Sequence, residues 1–252
     1  MEHKFTPSTY YLTFGPNEPS YHLKTGDSIV AQTVDARGDD FRGDPLPDEV
    51  KQRQPGIVYN PSNPLVGPFF VDDADIGDTL VVRIEHIALN RPTAWSRIRP
   101  NFGSLTEEVG ALGRRFLLND PLEELVFHWQ LDRERGTGTL ELPMSRLGRV
   151  EVPLHPFLGA IGVAPRAGRV ETSLTPGEYG GNMDCIETRE GTTLYFPVFV
   201  QGGYLAFGDV HAAQGDGEIC GVALETTAEV KLKFDVVKGK TIQWPRIENE
   251  EW

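Results

Sequence analysis

The chain of 252 residues has few cysteines and no long apolar segment. Its two cysteines, Cys185 and Cys220, cannot form a disulfide scaffold, and reduced thiols are the expected state in the cytoplasm. No apolar run approaches the roughly 20 residues that cross a bilayer, and the first residues lack the apolar core of a secretion signal. The sequence therefore predicts a cytoplasmic protein that does not enter a membrane.

Basic residues are also scarce, since 24 lysines and arginines face 37 acidic residues, for a net charge of −13. Such an excess of negative charge repels nucleic acid and anionic membrane surfaces, so we expect neither as a partner. The sequence has no glycine-rich phosphate loop, no Gly-x-Ser-x-Gly segment and no Cys-x-x-Cys pair. Nucleotide binding and serine hydrolase chemistry thus lack their usual motifs.

Helix signals are few, and strand signals dominate what remains. β-branched residues are frequent in 79–87 and 192–200, and polar and apolar residues alternate from Thr226 to Val237. Only 47–54 and 104–112 carry weak helix signals. We therefore predict a mainly β, sandwich-like or barrel-like fold with a few short helices, as a single unit over residues 1–252. As an alternative, the chain forms two β subdomains with a boundary near 140–155, although no linker marks that boundary.

The densest group of reactive side chains lies in the glycine-rich segment 202–221. In an extended backbone, residues two apart share a face, so Asp209 would pair with His211 and Asp216 with Glu218. These pairs suit a divalent metal with nitrogen and oxygen ligands, or a general base whose imidazole a carboxylate orients. A surface loop in which Asp and Gly only form turns explains the same pattern.

Two other segments place a carboxylate at a turn. Paired glycines precede Asn182 and Asp184, and Asp35 follows the alternating run 28–34. Strand ends often hold ligands, but a hairpin turn and a simple turn cap explain these residues as well.

Residues 208–218, Gly-Asp-Val-His-Ala-Ala-Gln-Gly-Asp-Gly-Glu, resemble the signature of the acetamidase/formamidase family. Four more segments agree with that family in the expected order, namely Asn-Pro-Leu-Val-Gly-Pro-Phe at 63–69, Gly-Asp-Thr-Leu at 77–80, Gly-Ala-Ile-Gly-Val-Ala-Pro at 159–165 and Gly-Gly-Asn-Met-Asp at 180–184. The resemblance extends from about Asp35 to Val237, and the chain is similar to the shorter bacterial and archaeal members.

The resemblance implies a mainly β enzyme that hydrolyses a short amide, such as formamide or acetamide, to the carboxylate and ammonia. It also implies a divalent metal, zinc or calcium, and a homo-oligomer that is a dimer or a multiple of one. A primary amide is a poor electrophile, and a metal both polarises its carbonyl and acidifies water.

On that resemblance we assign the candidate residues to three roles. The predicted metal ligands are Asp35, Asp184, His211 and Glu218. The predicted catalytic residues are Asp209, His211 and Glu218, with Asp209 as the group that orients His211 or as the base itself. The predicted pocket residues are Gly180, Gly181, Asn182, Gly215 and Gly217.

The sequence leaves two alternatives to this function open. The substrate is a cyclic imide or a larger amide in the first, because the chain is rich in aromatic residues that suit a wider apolar pocket. In the second, the chain is a non-catalytic calcium- or ligand-binding β domain, because Asp-rich turns suit an all-oxygen site. His211 argues against the second, since imidazole prefers zinc-like metals.

Overall fold

A computed structural model describes residues 1–52, 62–99, 102–103 and 123–251. Its strands are β1 (Glu2–Phe5), β2 (Tyr10–Tyr11), β3 (Thr13–Phe14), β4 (Tyr21–Leu23), β5 (Ser28–Gln32), β6 (Lys51–Gln52), β7 (Leu65–Val71), β8 (Thr79–Leu89), β9 (Thr93–Ile98), β10 (Leu125–Asp132), β11 (Thr137–Leu142), β12 (Gly148–Pro153), β13 (Phe157–Gly162), β14 (Glu171–Thr172), β15 (Pro176–Gly177), β16 (Gly180–Asn182), β17 (Thr193–Pro197), β18 (Leu205–His211), β19 (Glu225–Thr226), β20 (Ala228–Val237) and β21 (Arg246–Glu248). Two 3₁₀ turns, Asp48–Val50 and Arg166–Gly168, complete the assigned elements.

The mainly β prediction is confirmed, and the helix predictions are not. Of the helix predicted for 47–54, the described part, residues 47–52, has only the 3₁₀ turn Asp48–Val50, which leads directly into β6. The other predicted helix, 104–112, lies outside the described residues. Across the described ranges, no helix has the length and apolar character that a bilayer crossing requires.

Six strands form the smaller sheet, in the order β1-β5-β20-β8-β17-β21. At its centre, β20 pairs antiparallel with β8 from Ala228 opposite Leu89 to Val237 opposite Thr79. The alternation predicted from Thr226 onward is confirmed in β20, because every second side chain from Ala228 to Phe234 is buried.

The predicted strand does not begin where the pattern indicated. Glu225 and Thr226 pair with Trp95 of β9 and with the end of β18, in the larger sheet. Thr227 is therefore the point at which the chain passes from one sheet to the other. This crossing places a glutamate, Glu225, beside the last residue of β18.

The larger sheet follows the path β12-β11-β10-β9-β19-β18-β13-β16-β15, and β7 joins β2, β4 and β6 to it through β18. A third, two-stranded sheet pairs β3 with β14. Residues 140–155 run through the β11–β12 hairpin of the larger sheet and onward to β13, and the division into two subdomains stays a prediction.

Phenylalanine side chains close the space between the two large sheets. The ring of Phe69 in β7 lies 6.1 Å from Phe207 of β18, in the same sheet, and 6.2 Å from Phe234 of β20, in the other sheet. All three side chains are fully buried. Each such burial contributes about 1.5–3 kcal/mol, so these rings hold the sheets face to face and fix the position of β18.

Strand β18 is buried along its whole length and ends at His211. The chain then leaves the sheet and forms turns at 216–217 and 219–220. The expectation that Asp216 and Glu218 share a face of extended backbone was therefore wrong, because Gly-Asp-Gly forms a turn there, with Gly217 at φ +81°.

Candidate active site

His211, the last residue of β18, is the centre of the candidate site. Its side chain is 1% exposed, between β13 on one side and β19 on the other. Phe157 of β13 contacts the imidazole edge to face, with ring centroids 5.0 Å apart. Packing alone therefore restrains the imidazole ring.

Two groups of potential metal ligands share this imidazole. The outer group is Asp184, His211 and Glu218, and the inner group is Asp209, His211 and Glu225. Within each group the ligand atoms lie within 4.8 Å of one another. The structure thus brings together the predicted Asp184, Asp209, His211 and Glu218, and it adds Glu225.

The inner group is almost completely buried. His211 Nε2 lies 3.5 Å from Asp209 Oδ2 and 3.4 Å from Glu225 Oε1. The predicted pairing of Asp209 with His211 on one strand face is observed. Asp209 lies on the Nε2 side of the ring, however, whereas Nδ1 contacts Gln214 Oε1 at 2.9 Å. Gln214 therefore occupies the orienting position that we expected for Asp209.

Glu225 is the site residue that the sequence reading missed. It lies directly before the clearest alternating run, in Leu224-Glu225-Thr226-Thr227, where a glutamate looks like one more solvent-facing residue of a strand. Its main chain pairs with His211 across β18 and β19, and its side chain is buried. A charged side chain directly before a half-buried strand is the only local signal that could have identified it.

Three ligand atoms in these groups are buried and have no hydrogen-bond partner: Asp184 Oδ1, His211 Nε2 and Glu225 Oε2. Buried polar atoms in native proteins are almost always partnered, so three such atoms in one cluster suit a ligand that accepts their lone pairs. One nitrogen and several carboxylate oxygens form a donor set that fits a divalent metal.

The backbone at the site adopts conformations that ordinary side chains avoid. Asn63, Asp184, Asp209 and Glu218 have φ values of 56°, 45°, 55° and 39°. Such left-handed residues cost free energy and cluster at functional sites, where surrounding structure holds them in place. Three of the four are carboxylates of the two ligand groups, so the fold accepts strain to aim them at His211.

Gly159 makes room for this arrangement. A Cβ atom at that position would lie 2.7 Å from Asp209 Oδ2 and 2.8 Å from His211 Cε1. These distances are below any real contact, so residue 159 must be glycine if both side chains are to stay in place.

The titration behaviour of the cluster reflects its burial. Burial, with the nearby charges of Asp209 and Glu218, raises the pKa of Asp184 to about 8. Burial likewise raises the pKa of Glu225 well above its ordinary value. For His211 burial acts to lower the pKa, but the carboxylates of Glu225 and Asp209 outweigh it and raise the pKa well above the ordinary value. Without a cation, the cluster therefore retains protons.

A cavity of about 40 Å³ opens onto the four carboxylates. Its other wall includes Ala36, Trp95, Leu174 and Asn182. Asn182 donates to Asp184 Oδ2 at 2.8 Å and accepts from Asn63 Nδ2 at 3.1 Å, so its predicted place at the pocket fits the geometry. The asparagine pair leaves only Asp184 Oδ1 free.

The four predicted pocket glycines do not line this cavity. Gly180 and Gly181, both at φ +91°, allow β16 to approach β13, since a Cβ on Gly180 would lie 2.6 Å from the carbonyl oxygen of Ile161. Gly215 borders a neighbouring groove, and Gly217 turns an exposed loop. Their role is to shape the backbone around the site.

Asp35 does not join either ligand group. Its buried carboxylate accepts from Arg91 Nη2 at 2.8 Å and Trp95 Nε1 at 2.9 Å, and from the main-chain N–H groups of Arg37 and Asp39 at 3.0 Å. A carboxylate with four donors has no free lone pair for a metal. The prediction that Asp35 is a metal ligand is therefore corrected. Its carboxylate instead supports Trp95, which lines the cavity.

We expect Asp35→Ala to destabilise the protein and to leave its metal content unchanged. Removing one partner of a buried ion pair costs about 3–5 kcal/mol, because the remaining charge of Arg91 stays buried. Urea unfolding measures the first effect and elemental analysis of the folded protein measures the second. Glu141→Ala, at an exposed carboxylate 3.8 Å from Arg149, is the control and should change stability far less. Loss of metal at unchanged stability would restore Asp35 as a ligand.

Comparison with known proteins places this geometry in a family. The Acetamidase/Formamidase family model matches residues 167–250. The acetamidase of Mycolicibacterium smegmatis is 42% identical over 69 residues, which are 27% of this chain and 17% of that protein. A curated relative from Schizosaccharomyces pombe is 25% identical over 256 residues, and the chain spans 61% of its length, about three fifths.

Solved structures extend the similarity to nearly the whole chain. The crystal structure of an acetamidase from Yersinia enterocolitica matches with a TM-score of 0.79 and 33% identity, over 99% of this chain and 72% of that one. An acetamidase structure from Bacillus halodurans matches with a TM-score of 0.76 and 27% identity, over 98% and 75%. The chain therefore belongs to the acetamidase/formamidase family.

Proposed function

We propose that this protein hydrolyses the C–N bond of a short-chain amide, such as formamide or acetamide, to a carboxylate and ammonia. The observation that carries the proposal is the set of three buried ligand atoms without hydrogen-bond partners at His211, Asp184 and Glu225, beside a small cavity of about 40 Å³. Family membership supports the same reaction. The relatives reported above carry the names acetamidase and, for the Schizosaccharomyces pombe protein, putative formamidase, and hydrolysis of an amide is the chemistry that these names share.

We propose that Asp184, His211 and Glu218 hold a divalent metal, zinc or calcium. Asp184 and Glu218 are half-buried, unlike the inner carboxylates, so this group can keep an open position toward the cavity as catalytic metal sites do. When bound there, such a metal would polarise the amide carbonyl and lower the pKa of a water molecule toward neutrality.

Glu225 is the best candidate for the proton carrier. Its Oε2 has no hydrogen-bond partner and its side chain lines the cavity, so this oxygen is placed to exchange a proton with a bound substrate. It would accept a proton as water attacks the carbonyl carbon and return it to the nitrogen as the C–N bond breaks. Asp209 remains the second carboxylate beside the imidazole.

The apolar wall of the cavity suits the remaining part of the substrate. Ala36, Trp95 and Leu174 offer no charge to the acyl group and limit its size. Asp209 and Glu225 are buried, so their charges would act on a bound amide more strongly than in solvent.

Ammonia release from formamide, acetamide and larger amides, before and after chelation, tests the proposal. Turnover that falls on chelation and returns with zinc or with calcium is the expected result, and it identifies the metal. Bound metal without turnover on any amide would instead favour the non-catalytic binding domain. On composition and resemblance alone, we further expect the protein to be cytoplasmic and to form a homo-oligomer. Light scattering measures the mass of such an oligomer.

A larger amide or a cyclic imide is the second candidate substrate, and one feature favours it. Arg97, Glu218 and Val222 line both the cavity and an adjoining groove of about 460 Å³. The groove walls include Phe127, Trp129 and Leu142, which suit an apolar acyl group. A value of kcat/KM that rises with acyl length would select this substrate class, and a value that falls beyond acetamide would exclude it.

The pH dependence of the metal-free protein provides a further prediction. A carboxyl whose pKa is raised on folding stabilises the folded state below its ordinary pKa and loses that contribution as pH rises through the folded value. For Asp184 the ordinary value is 3.8 and the folded value is about 8. We therefore expect Tm of the chelator-treated protein to fall as pH rises from about 5 to about 8.5.

Asp184→Asn is the matched variant for this measurement. It keeps the shape of the side chain but cannot ionise, so its Tm should fall less steeply over the same pH range. A metal-free protein whose Tm rises through that range would contradict the predicted direction, since His211 shifts in the same sense.

A further inference from the structure

Gln214 connects the imidazole of His211 to the main chain of Asp184. Its Nε2 donates to the carbonyl oxygen of Asp184 at 2.8 Å, and its Oε1 lies 2.9 Å from His211 Nδ1. A main-chain carbonyl only accepts hydrogen bonds, so the amide nitrogen of Gln214 must face Asp184. The amide oxygen is then left to face the imidazole.

This orientation decides which ring nitrogen of His211 carries a proton. An amide oxygen also only accepts, so Nδ1 must be the donor in the contact with Gln214. In the neutral ring, Nε2 is then the bare nitrogen, with Asp209 Oδ2 at 3.5 Å and Glu225 Oε1 at 3.4 Å. That is the tautomer that can bind a metal through Nε2.

The surrounding charges favour the opposite tautomer. Two carboxylate oxygens, 3.5 and 3.4 Å from Nε2, attract a proton to that atom. A ring protonated at Nε2 would hydrogen-bond these carboxylates and would have no lone pair for a metal there. The amide oxygen of Gln214 accepts from Nδ1–H and so opposes this state. The amide nitrogen of Gln214 donates to the main chain of Asp184, so His211 and Asp184 are bonded to the same amide group.

We propose that Gln214 is a positioning residue that fixes the Nδ1–H tautomer of His211 and so maintains metal affinity. The inference rests on the proposed metal site and adds a requirement to it. Gln214 is half-buried and borders the adjoining groove but does not line the 40 Å³ cavity, so it acts on the carboxylates there through His211 and Asp184.

Zinc affinity of the full chain, measured by competition with a chelator, tests the proposal. Loss of a partner that orients a metal-binding histidine typically costs about 10–100-fold in metal affinity, and we expect Gln214→Leu to show a loss of that size. Gln214→Glu keeps an acceptor for Nδ1–H but loses the donor to Asp184. Its zinc affinity should therefore lie between those of the parent and Gln214→Leu. Asp216→Asn, in the exposed turn of the same loop, should bind zinc as the parent does.

A second readout separates tautomer control from a general loss of structure. The zinc-loaded parent and Gln214→Glu should show a slowly exchanging His211 Nδ1–H proton by NMR, and Gln214→Leu should not. Should Gln214→Leu fail to fold, Gln214→Asn, one methylene too short for both contacts, replaces it. Parental zinc affinity in these variants would overturn the proposal alone, whereas a parent protein that binds no metal would overturn the proposed metal site as well.

Discussion

Replacement of His211 by Ala is expected to remove the metal and reduce amide hydrolysis to background. His211 is the only residue that both ligand groups share, and its Nε2 has no hydrogen-bond partner in the described structure. Since loss of even an orienting partner costs about 10–100-fold in metal affinity, loss of the ligand itself should exceed that. Metal content by elemental analysis and ammonia release measure the two effects.

Two controls keep this result interpretable. His155→Ala changes an exposed histidine and should leave metal content and rate unchanged. His211→Gln retains a polar side chain of similar reach and guards against misfolding, which thermal unfolding detects. Full metal content and full activity in both His211 variants would remove the imidazole from the site.

Glu225→Gln is expected to separate activity from stability. The variant keeps the shape of the side chain but cannot accept a proton, and loss of a general base typically costs about 100- to 10,000-fold in rate. The same change removes one of four crowded carboxylates, so Tm of the metal-free protein should rise. An activity loss together with a stability gain is the behaviour expected of a catalytic residue that lowers the stability of the fold.

The measurements for this variant are kcat in the metal-loaded protein and Tm after chelation. Glu134→Gln, at an exposed turn, is the control and should alter neither. An unchanged kcat would assign proton transfer to Asp209 or Glu218 instead. A lower Tm in the metal-free variant would show that the negative charge of Glu225 contributes to folding, mainly through its pairing with His211.

Local sequence patterns determined the fold class and most of the candidate site. Alternation from Thr226 to Val237 predicted a half-buried strand, because side chains in extended backbone alternate between two faces. The same rule placed Asp209 beside His211, and the resemblance over 208–218 and over 180–184 selected Glu218 and Asp184 as their neighbours. Each of these inferences depends on a pattern within a single short segment.

What the sequence did not determine are the contacts made between segments. Asp35 looked like a ligand at a strand end, but Arg91 and Trp95, more than fifty residues away, occupy its oxygens. Glu225 looked like an ordinary strand residue, and only the passage of the chain from β19 to β20 carries it to His211. Pairing across a sheet depends on topology and register, which no local pattern of charge and polarity specifies.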